Sequence, residues 1–441
     1  MTSGRHVAAP QGAAPQGAVR LIATKCLAEV LGMLGFFAFP ALLPTFIAEW
    51  GLSNTEAGWI NATFFAGYMF TVPVLVSLTD RMDPKRIYLV CMAVTAASAA
   101  AFPLLAQGFW TAVLLRTLGG IGLAGTYMPG LKALSDLIEG PAQSRAVSFY
   151  TSSFGIGSAL SFYLSGKIGA GGDWQAAFGV MAVGPVLALV LVALVLPAHT
   201  PPPPQQPVGG VAGFMATLRN RRAMGYTLAY MVHNFELFGL RSWLVVYLTY
   251  AISLQAPGTP TLAPATLTAL VTLLALPSSV SGNELAVRFG RRRVVCTVMS
   301  LSALLACTIG WLAALPFPAL AALCLVYGVT VMADSSPITA GTVAQALPGL
   351  RGTTMAVHAC VGFLGSFLGP LVFGVVLDVA GGRGQTLSWG LAFATMGAVV
   401  ALGPVFVLVL NRTPHPHPHP VPDGSPRAVP SQGGGAGGGG R

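Results

Sequence analysis

Apolar residues in this chain come in long runs separated by short polar stretches. Twelve runs can be marked, at roughly 20–48, 56–79, 84–107, 109–136, 142–168, 174–197, 223–252, 263–287, 293–315, 318–347, 352–380 and 386–410. About 20 apolar residues carry a helix across the hydrocarbon core, so each run predicts one transmembrane helix. The series breaks over residues 198–222, where Pro201–Pro204, Gln205 and Gln206 precede Arg219, Arg221 and Arg222. That stretch reads as an exposed linker between two sets of six helices. The expected organisation is a disordered tail over 1–19, a six-helix half over 20–197, the linker, a second half over 223–410, and a disordered Pro/His/Gly tail over 411–441.

Composition agrees with this pattern. Only 8% of residues are charged and mean hydropathy is +0.72, whereas soluble domains carry roughly 25% charged residues. The net charge of +10 would point to nucleic acid in a soluble protein, but its placement gives a better account. With the N-terminus inside, the cytoplasmic segments hold seventeen Lys and Arg and the outer loops hold two, Lys167 and Arg383. Lys25, Arg116, Lys132 and Arg241 fall within the apolar runs. The asymmetry puts both termini in the cytoplasm and needs no nucleic-acid partner. The N-terminus shows no short apolar segment with a cleavage site, so no signal peptide is expected. The six cysteines lie in or beside apolar runs without CxxC spacing and read as small core residues.

The two sets of six repeat at a nearly constant shift. Glu29-x-x-Gly32 matches Glu236-x-x-Gly239 and Arg81 matches Arg288 at 207; Pro129 matches Pro337 and Gly157-Ser158 matches Gly365-Ser366 at 208. Two parallel halves imply a site near the midplane where they meet. The fold class is therefore an all-α membrane protein of twelve transmembrane helices in two pseudo-symmetric halves.

The most unusual stretch is Met231–Tyr247 in helix 7, an apolar run that carries His233, Asn234, Glu236 and Arg241. Ionisable groups at membrane depth are costly and face a bundle interior or a watery cavity. At 100° per residue, His233 and Glu236 share one face, and Asn234 and Arg241 a neighbouring one. Glu236 is a candidate proton carrier or a structural partner of Arg241, and His233 a midplane imidazole or a packing residue. A guanidinium matches oxyanions bidentately, so Arg241 and Arg116 of helix 4 are candidate anion ligands. Asn234 and Tyr127, beside Pro129, join them as candidate substrate contacts. Asp334 of helix 10 lies near the midplane, three residues before Pro337, which is expected to free a carbonyl for Ser335 or Ser336 and to bend the helix. Pro129 predicts a matching bend in helix 4. Glu29 is the symmetry mate of Glu236 in proton transfer or an ion-pair partner of Lys25. His358, in the first turns of helix 11, is a weaker site candidate. Asp80 and Arg81 after helix 2, and Lys132 with Asp136 in helix 4, are expected to gate the cytoplasmic side, the acid by capping a neighbouring helix N-terminus. His415, His417 and His419 alternate with prolines, lack further ligands, and read as a disordered tail rather than a metal site.

Several motifs resemble the major facilitator superfamily. Leu78–Arg86 is similar to that family's GxLaDRxGRR loop, with Val76 and Asp83 where glycines are usual. Leu285–Arg292 keeps the basic half of the same loop, with Val287 where the acid would stand. Arg116-Thr-Leu-Gly-Gly120-Ile-Gly122 resembles the family's RxxxGxG stretch, and Gly365-x3-Gly369-Pro370-x3-Gly374 a pattern associated with exchangers. Helix 7 and Gly125–Asp136 resemble the cyanate- and nitrate/nitrite-permease-like branch. The resemblance implies alternating access through a central site lined by helices 1, 4, 7 and 10.

The expected function is thus secondary active transport of a small polar solute across the cell inner membrane, an anion being favoured by the buried arginines. Coupling is expected to protons through Glu236, Asp334 and Glu29, with no cofactor, in a monomer. Nothing resembles a P-loop. No nucleophile, metal cluster or acidic pair marks an enzyme. A transporter-like receptor, or an exporter of drug-like compounds, is the alternative.

Overall fold

The computed structural model describes residues 16–79, 81–138, 141–198 and 210–411; the tail beyond 411, with His415, His417 and His419, lies outside them. The described residues form helices and no strand. The first span consists of α1 (Gln16–Gly32), α2 (Ala38–Ala41) and α3 (Leu43–Trp50). Spans two to six are α4 (Asn54–Leu78), α5 (Pro84–Leu105), α6 (Phe109–Leu137), α7 (Pro141–Ile168) and α8 (Trp174–Val195). After a short helix α9 (Gly210–Arg219) come α10 (Arg221–Ser253), α11 (Pro264–Phe289) and α12 (Arg291–Ile309) as spans seven to nine. Span ten is α13 (Phe317–Ala333) with α14 (Ser335–Ala344), span eleven is α15 (Arg351–Val379), and span twelve is α16 (Thr386–Val400) with α17 (Leu402–Leu410). An even number of crossings puts α1, the linker and α17 at one face, called here the linker face; the other is the far face.

Local chemistry explains the element ends. Ser53 caps α4 by accepting from the Glu56 amide, while the Glu56 carboxylate accepts from Ser53 N at 2.9 Å, a reciprocal box that satisfies two orphan donors. Asp83 accepts from Lys85 N at the start of α5, with Pro84 in the first turn. The linker is not wholly irregular: residues 210–219 are helical.

The prolines act differently from expectation. Span ten breaks at Asp334, as Pro337 leads one to expect. The Ser336 hydroxyl, however, pairs with Ser279 at 2.5 Å rather than with a freed carbonyl. The space for that carbonyl, Ala333 O, is provided by Gly282, where any Cβ would collide with it. Helix α6 runs unbroken through Pro129. The second break lies in span one, where residues 33–37 leave the helix. Pro40 has no N–H to offer the Phe36 carbonyl four residues back.

The glycine motif of span eleven is a packing seam. A Cβ at Gly365 or Gly369 would run into the backbone carbonyls of Met231 and Phe235 on α10. The Pro370 carbonyl accepts from Trp243 Nε1 at 2.9 Å. Gly365→Ala should therefore force α10 and α15 apart and cost about 1–3 kcal/mol, read as a lower unfolding midpoint of the purified protein.

Among the described residues, contacts that join the halves run from the far face to mid-depth. Asn54 and Thr55 meet Asp378. Gly58 lies against the Pro370 carbonyl and Trp59 against Phe367. Deeper, Phe65 meets Phe238 at 4.4 Å and Tyr68 stacks on Phe363 at 4.0 Å between ring centroids. Gly166 faces Ala265, and Gly155 faces Leu276.

Candidate functional site

Among the described membrane-spanning helices span seven is the most enclosed, with an unbroken buried run from Val232 to Leu248. Its ionisable side chains divide by face, as the 100° rotation requires. His233 and Glu236 turn into the second half. His233 Nδ1 lies 2.8 Å from Asp334 Oδ1, an ion-pair distance whose geometry does not complete a hydrogen bond. Glu236 Oε1 accepts from Ser302 Oγ and from Tyr327 Oη, each at 2.8 Å. Glu236 Oε2 and both Asp334 oxygens are buried without a hydrogen-bond partner among the described residues. Glu236 is thus not the partner of Arg241.

Asp334 stands at the junction of α13 and α14, and its carboxylate lies opposite His233. His358 belongs to the same neighbourhood. Its ring stacks on Tyr230 at 4.1 Å, Tyr230 stacks on His233 at 5.7 Å, and its nitrogens lie 3.1 Å from the Thr342 and 3.4 Å from the Thr339 hydroxyl. Asn234 is buried beside Gly362.

The first half holds a counterpart. Tyr150 donates to Glu29 Oε2 at 2.8 Å, while Oε1 has no hydrogen-bond partner among the described residues. Lys25 does not close an ion pair with Glu29. Its Nζ sits 3.7 Å from the Tyr88 ring centroid and 5.6 Å from that of Tyr150. Both carboxylates thus lean on a tyrosine, but from different spans, five for Glu29 and ten for Glu236. Tyr127 is half-buried and packs on Tyr150 and Phe154.

Arg241 turns the other way, toward the first half. Its guanidinium carbon lies 5.6 Å from the Phe37 ring centroid and 5.9 Å from that of Phe238. Arg116 reaches the same broken stretch of span one from behind. Its Nη1 donates to Phe36 O at 3.0 Å, supplying the proton that Pro40 cannot, and its carbon lies 4.4 Å from the Phe64 ring centroid. Both arginines are buried, and neither forms an ion pair among the described residues. Desolvating a guanidinium costs several kcal/mol, while a ring face returns about 0.5–2 kcal/mol. The residual cost is what an anion would offset. Phe36, Phe37, Phe64, Phe65 and Phe238 fill the space between, with neighbouring centroids 4.2–5.7 Å apart.

The expected linker-face gate is only partly visible. Asp80 and the Asp136 side chain lie outside the described residues; Arg81 is exposed and Lys132 half-buried. The far face has a clasp that sequence reasoning missed. Asp378 Oδ1 accepts from Asn54 N at 3.1 Å and Nδ2 at 2.7 Å, and Oδ2 accepts from Thr55 N at 2.7 Å and Oγ1 at 2.6 Å. A carboxylate from span eleven thus caps the N-terminus of span two.

The chain matches the Major Facilitator Superfamily profile over residues 26–333 and again over 238–434. Protein spinster homolog 1 of Homo sapiens is 26% identical over 259 residues, covering 56% of this chain and 46% of the relative. The chain thus spans about half the length of that relative. The sphingosine-1-phosphate transporter SPNS2 of Xenopus tropicalis is 23% identical over 407 residues, 86% of this chain and 79% of the relative. A bacterial homolog of the human lysosomal transporter Spinster, solved inward-facing, superposes with a TM-score of 0.69 at 15% identity over 90% of this chain and 96% of that one. The human organic anion transporter MFSD10 superposes with a TM-score of 0.64 at 19% identity, over 89% and 100%. At such identities the solved structures speak for the fold.

Proposed function

This chain belongs to the major facilitator superfamily, and from that premise we propose that it moves an organic anion with an apolar body across the membrane by alternating access, driven by protons. The observation that carries the reading is the pairing of Arg241, buried and without a carboxylate partner among the described residues, with the aromatic cluster on both sides of the interface. A cation beside aromatic walls recognises a carboxylate, phosphate or sulfonate joined to a hydrophobic group. A relative named for sphingosine-1-phosphate and a structural neighbour named for organic anions support that class. Proton coupling is assigned to Glu236 and the His233–Asp334 pair, with Glu29 as a second carboxylate. Halves joined from the far face to mid-depth are the arrangement of a carrier open to the linker face. The charge asymmetry makes that face cytoplasmic, with both termini there, in a cell inner membrane. The proposed unit is the monomer, two halves about one site. Asp80, Arg81, Lys132 and Asp136 remain the proposed cytoplasmic gate.

Purified protein in liposomes containing a pH-sensitive dye tests the reading. An amphipathic phosphate or carboxylate added under a fixed proton gradient should enter with a proton signal. Arg241→Ala should raise the half-saturating concentration at least about tenfold, since removing one member of a buried charge contact costs 2–5 kcal/mol. Equal uptake by wild type and Arg241→Ala would remove Arg241 from the site. Uptake of uncharged analogues in preference to the anions would overturn the substrate class.

A further inference from the structure

Inside the first half lies a second feature that the substrate reading does not use. A cavity of about 50 Å³ is walled by residues of spans one, two, three, four and six, all in the first half. Its lining is mainly apolar, with Met33, Phe36, Phe64, Phe102, Phe178 and Met181. Arg116 is its one charged lining residue. It is 5% exposed and can offer five N–H protons. It makes a single hydrogen bond, to Phe36 O, and its Nε is buried without a partner among the described residues. Holding that carbonyl needs a donor, not a full charge. The two hydroxyls of the wall do not help, because Ser98 donates to Leu115 O at 2.6 Å and Thr95 to Cys91 O at 3.1 Å.

We infer that this cavity is a binding site for a small monovalent anion of the halide class, held by the Arg116 guanidinium beside the break in span one. Size, charge and wall chemistry set the class. A single water occupies roughly 10–15 Å³ of such space, so the cavity takes an ion of one or a few atoms and not an amphipathic substrate. One negative charge neutralises one guanidinium; a phosphate or sulfate would leave excess charge and too few donors in an apolar wall. Aromatic edges carry partial positive charge and tolerate an anion. An apolar wall replaces little of an ion's hydration, so the easily dehydrated iodide and bromide bind more tightly than chloride. The bound ion fixes Arg116, and through Phe36 O the geometry of residues 33–37, whose Phe37 lies under Arg241. The bound ion is not the transported substrate: it sits on Arg116, whereas the substrate reading rests on Arg241, and the two sites share only the aromatic side chains Phe36 and Phe64.

Full-length protein purified in gluconate buffer is titrated at constant ionic strength with sodium iodide, bromide or chloride while its thermal unfolding midpoint is followed. The midpoint should rise saturably with each, iodide reaching its half-effect at a several-fold lower concentration than chloride. Arg116→Met should lose the saturable rise, and a structure determined with bromide should show its anomalous peak beside the Arg116 guanidinium. An undiminished halide response in Arg116→Met, or a bromide peak at Arg241 and none at Arg116, overturns the inference. Should Arg116→Met fail to fold, Ala99→Leu fills the cavity and leaves Arg116 in place; a full halide response in that variant overturns the inference equally. Arg241→Ala should keep the halide response, so loss of substrate transport and loss of this site are separately visible.

Discussion

Glu236→Gln should lose proton-driven accumulation while the protein still folds and still exchanges substrate across the membrane. The two oxygens of Glu236 differ in their surroundings. Oε1 accepts from Ser302 and Tyr327, and a glutamine oxygen can take both bonds in the same place. Oε2 is buried with no partner among the described residues; an amide nitrogen there gains no acceptor, at a cost of about 1–3 kcal/mol. That is a tolerable loss for a chain of this size, so the variant should be recoverable. What it cannot do is take up and release a proton. Proton and substrate are linked by a coupling free energy of typically 1–3 kcal/mol, a factor of about 5–150, and that factor should vanish from the accumulation ratio. Counterflow exchange, which needs no net proton movement, should persist. Glu236→Ala should do worse in a different way, because it leaves the Ser302 and Tyr327 hydroxyls buried without their acceptor. The liposome assay separates the outcomes. If Glu236→Gln accumulates substrate like the wild type, Glu236 is a structural acceptor, and Asp334→Asn becomes the variant in which coupling should fail.

Legibility in the sequence followed the physics of each feature. The spans were readable because a bilayer demands length and apolarity, both local properties; nearly every boundary lies within a few residues of its expectation. The division of span seven was also readable. A rotation of 100° per residue puts His233 and Glu236 on one side and Arg241 on another, and the structure keeps them apart. The partners were not readable. Ser302 and Tyr327 reach Glu236 from spans nine and ten, and Tyr150 reaches Glu29 from span five, although the repeat's shift of 208 sets Tyr150 against His358, which bonds no carboxylate among the described residues. Symmetry of backbone does not carry symmetry of hydrogen bonding. Proline was an ambiguous signal for the same reason. Pro337 breaks span ten where Gly282 gives the freed carbonyl room, whereas Pro129 is absorbed by a continuous helix. The break at residues 33–37 depends on Pro40 together with a donor, Arg116, eighty residues away. A donor so distant in sequence leaves no local trace.

Asp378→Ala should move the protein toward a state open at the far face. The sequence points to a helix-capping acid at the cytoplasmic end, Asp80 after span two. The described residues show the same device at the far end, with Asp378 at the close of span eleven and the first turn of span two as its target. Four donors converge on the two oxygens. Hydrogen bonds to a charged acceptor contribute about 1.5–3 kcal/mol each when well shielded. Asp378 is half-buried and near water, so about 3 kcal/mol for the whole clasp is a conservative figure. Each 1.4 kcal/mol is a factor of ten in an equilibrium constant, so the ratio of closed to open far face should fall about a hundredfold. Spin labels at Trp110 and Leu387, both exposed and at the far-face starts of spans four and twelve, read the change as a longer component in the distance distribution. Asp378→Asn should fall between, because one oxygen remains to accept from Asn54 or Thr55 while the charge that complements the helix N-terminus is gone. The rest of the far-face contact, Gly58 against the Pro370 carbonyl and Trp59 against Phe367, has no charge and supplies shape rather than a switch. A distance distribution unchanged in both variants would assign the closed far face to that apolar contact alone and leave Asp378 as a cap without a gating role.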